Sequence, residues 1–113
     1  MTKCTFEDDG ERRVVTVEAR RDGSVRVVEE TSGALSDVVF DGPSHYELTL
    51  PAASAEACDR LCRKRWGLAL DGVFASGDFV PLDLADLCDR ADVAYESVFT
   101  PDPAASEPYL YFV

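Results

Sequence analysis

The sequence contains no asparagine, no glutamine and no isoleucine, and only two lysines against nine arginines. Without asparagine there is no N-glycosylation acceptor. The missing and scarce types share AT-leaning codons, so the bias points to GC-rich coding, as in a bacterial genome. Histidine occurs once, at His45, which excludes a His-Glu-x-x-His metal site. No apolar run approaches the roughly 20 residues that a membrane span needs. An apolar leader is missing as well: Lys3, Glu7, Asp8 and Asp9 come first, so a cytoplasmic location is expected. Basic charge is in short supply, with 11 Lys and Arg against 22 Asp and Glu and a net charge of −11. Phosphate would be repelled, which argues against nucleic-acid binding.

What is present suits a globular chain. At 113 residues and 46% hydrophobic content, a single α+β domain spanning 1–113 can bury a core without staples. Salt adaptation would also produce an acidic, lysine-poor chain, but four cysteines are many for that way of life. Cys4, Cys58, Cys62 and Cys88 are read as free thiols in a reducing cytosol, since nothing marks the chain for export.

Asp-Gly is a strong hairpin signal, because a type I′ turn needs positive φ at both central residues. It occurs at Asp9-Gly10 and Asp22-Gly23, between alternating apolar runs that predict strands over 3–8, 12–20 and 24–30. Two-residue turns at both places would pair residues summing to 19 and then to 45. On that pairing Cys4, Phe6, Val15, Val17, Ala19 and Val28 share the core face. Val14, Val25, Val27 and Glu29 share the other, a contact patch or dimer seam if it is not simply solvated. Residues 31–36 read as a loop, 38–40 as a short strand and 45–50 as a half-buried strand.

Two amphipathic helices follow. The first covers about 53–66, with Ser54 as N-cap, Ala55, Cys58, Leu61, Cys62 and Trp66 on the core side, and Gly67 as the stop. The second covers about 79–91, with Pro81 in its first turn and Val80, Leu84, Leu87, Cys88 and Ala91 inward. Between them, Leu68 to Phe79 fits either a hairpin or a short helix and turn. Strands are predicted over 93–100 and 109–113, with a proline-rich loop between. The expected fold class is α+β, a mainly antiparallel sheet with two amphipathic helices packed on one face.

The chemistry-bearing residues are few. Cys58 and Cys62 share a helix face, but structural zinc wants a second close pair, so they read as small buried residues. His45 and Ser44 are adjacent on a strand and point to opposite faces, which disfavours a Ser–His pair. No phosphate loop, nucleophile elbow or kinase signature appears. No catalytic residue, metal or cofactor is assigned, and the chain is not read as an enzyme.

Charge distribution is the informative feature. Residues 67–113 carry nine acids and a single base, Arg90. Asp83, Asp86, Asp89 and Asp92 fall on one outer helix face. Such a face attracts a basic protein and speeds its encounter, or it serves only to solvate the helix.

Three segments, His45 to Ala52, Asp78 to Leu84 and Val93 to Glu96, resemble a pattern of small uncharacterised bacterial proteins. Some of those are similar to immunity proteins of contact-dependent or polymorphic toxin systems. The resemblance covers half the chain and implies no catalytic residue. Together with the charge distribution it leads to the expectation of a non-catalytic acidic binding protein, an immunity-type inhibitor of a basic partner; the four aspartates, read from the charge pattern, are its candidate contacts. The alternatives are a self-associating homodimer and, third, a small-ligand binder or enzyme.

Overall fold

A computed structural model describes residues 1–33 and 43–100. Five strands form one antiparallel sheet in chain order: β1 (Thr2–Asp8), β2 (Glu11–Ala19), β3 (Val25–Gly33), β4 (Ser44–Leu50) and β5 (Glu96–Thr100). Two helices, α1 (Ala52–Trp66) and α2 (Pro81–Ala91), are inserted between β4 and β5. The chain is therefore α+β and mainly sheet, as expected. The expected strands at 38–40 and 109–113 lie outside the described residues. No helix among the described residues is long and apolar enough to cross a membrane.

The first hairpin forms as the sequence predicts. Asp9 and Gly10 both have positive φ, 50° and 79°, and the pairs sum to 19, with Glu7 opposite Arg12. The second hairpin differs. Arg20 N–H donates to Ser24 O at 2.8 Å and Gly23 N–H to Arg20 O at 3.0 Å, so the loop has three residues, Arg21 to Gly23. Asp22 fixes this loop by accepting from both the N–H and the hydroxyl of Ser24, at 2.9 and 2.6 Å. Gly23 ends it at φ 89°, where a side chain would be strained and a Cβ would meet Ala52.

One extra loop residue changes the sheet. The pairs of β2 and β3 sum to 44, not 45: Val17 faces Val27 and Ala19 faces Val25. A one-residue slip moves every side chain of a strand to the other face. Val25, Val27 and Glu29 thus join the helix-facing side, and Val28 turns away from it. This corrects the face assignment expected from a two-residue turn. Val28 is still buried, but beside Thr16 and Glu47 on the helix-free side.

The core is one cluster between sheet and helices. Val15, Val17, Val25, Val27, Tyr46, Leu48 and Leu50 supply the floor, and Ala55, Cys58, Cys62, Leu84, Leu87 and Cys88 cover it. Helix α1 starts one residue earlier than expected. Pro51 is its N-cap without a side-chain bond, and Ser54, the expected cap, is buried inside the first turn. Gly67 stops α1 in the left-handed region, as expected, with Arg63, Lys64 and Arg65 in the last turn. Residues 68–79 are neither hairpin nor helix. They are consecutive turns, Gly72 N–H to Ala69 O at 2.9 Å and Gly77 N–H to Phe74 O at 3.3 Å, that drop Leu70, Val73 and Phe74 into the core. Fully buried Phe74 contributes about 1.5–3 kcal/mol of transfer free energy towards holding this segment on the core.

Candidate functional site

The four aspartates all belong to α2 or its C-terminal cap, spaced three apart, but their surroundings differ. Val80 enters the helix extended, and Pro81 occupies the first position. Asp83 then sits in the first turn and accepts the Val80 N–H at 2.9 Å. Its charge suits a helix N-terminus, and its side chain is committed to capping. Asp86 is exposed. Asp89 is exposed and accepts the Tyr95 hydroxyl at 3.0 Å, which pushes the Tyr95 phenol above its ordinary range. Asp92 ends the helix in the left-handed region, at φ 57°, with its N–H on Cys88 O. Aspartate tolerates that conformation better than most side chains do. Three of the four residues thus have local structural duties, while Asp86, Asp89 and Asp92 remain open to solvent.

The tertiary structure adds cations to this face. A hollow of about 240 Å³ lies between the end of α1 and α2, with Arg65, Arg90, Asp83 and Asp86 around Trp66 and Phe79. Its charges balance. Trp66, expected in the core, stands instead at the rim, half exposed. Phe79 links it to the core, with ring centroids 5.2 Å from Trp66 and 5.3 Å from buried Phe74. The helical spacing placed Trp66 in the apolar arc. Its position as the last helical residue, beside three cations and Gly67, is the signal that it emerges at an edge.

A second polar cluster was hidden by the register. Arg13 and Glu29 both face the helices. Arg13 Nη1 lies 3.4 Å from Glu29 Oε2, and Arg13 Nη2 donates to Gly77 O at 2.8 Å. The guanidinium also lies 4.6 Å from the centre of the Phe6 ring. Burial pushes the Glu29 carboxyl above its ordinary range, and the charge of Asp83 adds to this while Arg13 opposes it. The arrangement ties the turn before α2 to the sheet. Once a pair like this is buried, removing one partner is costly, so it favours one packing over others.

Cys58 of α1 and Cys88 of α2 face each other, with sulfurs 3.4 Å apart, and Cys62 is buried nearby. Burial pushes the Cys62 thiol up to about 11, and a hydrogen bond with Cys88 together with burial raises Cys58 as well. Among the described residues, no three His, Cys, Asp or Glu side chains form a metal-binding group. Ser44 is buried and bonds the Thr31 hydroxyl. His45 lies half-buried opposite Glu30 and Thr100, beside a hollow of about 150 Å³. That volume falls below the roughly 300 Å³ at which ligand pockets begin. No protein-family model, curated protein or solved structure matches the chain.

Proposed function

We propose that the chain is a non-catalytic binding protein that docks a basic protein through the outer face of α2, in its concrete form an immunity-type inhibitor. The observation that carries this reading is the placement of Asp86, Asp89 and Asp92. Asp86 and Asp89 are open to solvent on the side of α2 away from the buried Leu84, Leu87 and Cys88, and Asp92 is open to solvent at its C-terminal cap. They also belong to the half of the chain in which nine acids meet one base. Complementary charge raises encounter rates and selects partners more than it adds affinity. Inhibition would follow from covering the cationic surface with which a toxin holds its own substrate.

The test is the association rate of a basic protein captured at low salt. The double variant Asp86→Lys, Asp89→Lys spares the capping roles of Asp83 and Asp92. It should slow association by on the order of tenfold and flatten its salt dependence. An unchanged rate would sink this face as the docking surface. Self-association through the sheet is a second reading. It is favoured by Val98, exposed on β5 and aligned with Glu47 on the helix-free face. A monomeric mass by light scattering at high concentration would count against it.

A further inference from the structure

Gly67 turns the chain sharply at the end of α1 and leaves the Trp66 indole on the surface. This is the only tryptophan, 46% exposed, and Leu68 next to it is equally exposed. Leaving half of a large ring in water forgoes stabilisation that burial would supply. Trp66, Leu68, Val73, Ser76, Asp78 and Phe79 line a hollow of about 400 Å³, separate from the charge-balanced one beside α2. Its aromatic wall is firm, because Phe79 is tilted against both Trp66 and buried Phe74, at 58° and 52° between ring planes.

Charge decides what such a hollow takes. Among the described residues Asp78 is the one acidic or basic residue that lines it, and its carboxylate has no partner there. The Asp78 N–H donates to Ser76 Oγ at 3.2 Å, which orients the backbone at the rim. No cation lines this hollow, whereas Arg65 and Arg90 line the neighbouring one. An anion would meet Asp78 unopposed, and a neutral apolar group would leave that charge unused. A cation on an apolar stem satisfies both the rings and the carboxylate. Arg65, the chain neighbour of Trp66, places its guanidinium 5.5 Å from the centre of the Trp66 rings.

We infer that this hollow anchors a cationic side chain, a guanidinium or ammonium on its alkyl stem, contributed by the basic protein partner. The identity of the partner rests on the function proposed above; the affinity of the hollow for such a group does not. A central pocket filled by one large cationic side chain is how interface energy is commonly concentrated.

The sole tryptophan makes the test direct. Its fluorescence is followed during titration of the purified protein with n-butylguanidinium and, separately, with n-butylurea, its neutral isostere. Saturable n-butylguanidinium binding in the millimolar range is expected, with n-butylurea about fivefold weaker or worse. Asp78→Asn, at an exposed position, should fold normally and abolish the preference. Equal responses to the two probes, or a preference that survives Asp78→Asn, would overturn the assignment. Neither result bears on the Asp86 and Asp89 variants, so the two proposals fail separately.

Discussion

Val27 and Val28 are neighbours on β3 that face opposite sides of the sheet, and exchanging each for threonine tests the register. Threonine keeps the shape and the β-branching, so strand preference is nearly unchanged and the added hydroxyl is the perturbation. Val27 is fully buried, between Val17 and Leu48 on the adjacent strands. A hydroxyl placed there without a partner costs about 1–3 kcal/mol. Val28 lies between Thr16 and Glu47, which can take up the hydroxyl, so its change should stay within about 0.5 kcal/mol. At about 2.1 cal/mol/K per residue, 113 residues give an unfolding entropy near 0.24 kcal/mol/K. Val27→Thr should therefore lower Tm by about 4–13 °C and Val28→Thr by no more than about 2 °C. Differential scanning calorimetry at one pH reads both. A two-residue turn at Asp22-Gly23 demands the opposite ranking. A Val28→Thr protein that melts below Val27→Thr would refute the three-residue loop and the core face drawn from it.

Other outcomes follow from the same contacts. Burial raises the Glu29 carboxyl in the folded state, so its contribution is full below the ordinary carboxylate range and is lost as pH rises through the raised value. The stability of the native protein relative to Glu29→Gln should accordingly fall as pH climbs through that window in parallel melts, and a growing difference would contradict the burial. Asp83→Ala removes the bond to the Val80 N–H and should cost about 0.5–2 kcal/mol in urea unfolding, whereas exposed Asp86→Ala should cost under about 0.5 kcal/mol. In alkylation followed by peptide mapping, half-exposed Cys4 should react first. Cys58, Cys62 and Cys88 should wait for unfolding, and early labelling of any of these would show the helix pair to open locally.

Local signals were reliable where one residue type enforces one geometry. Asp9-Gly10 is such a place, since two left-handed residues in succession admit a single turn, and the pairing of β1 with β2 follows. Gly67 and Pro81 set helix ends for the same kind of reason. Asp22-Gly23 presents the same dipeptide with another outcome. Ser24 engages the Asp22 carboxylate twice, which suits the longer loop, and the choice between two and three residues decides which valines are buried. The candidate site was legible to the same degree. The spacing of Asp83, Asp86, Asp89 and Asp92 can be read from the chain. That Asp83 caps is a local matter of its own helix, whereas that Asp89 accepts from Tyr95 and Arg65 stands across from Asp86 depends on contacts beyond the helix.

The sequence by itself determined the class of fold, the first hairpin, both helices and the excess of acid in the second half, because each depends on periodicity, turn chemistry or charge along a short stretch. The tertiary structure decided which face of β3 meets the helices, what becomes of residues 68–79, and where Trp66 emerges beside Asp78. Those outcomes depend on competition for one core among segments distant in the chain. Phe74 is fully buried, whereas Trp66, which helical spacing assigns to the core, stands half exposed at the end of α1.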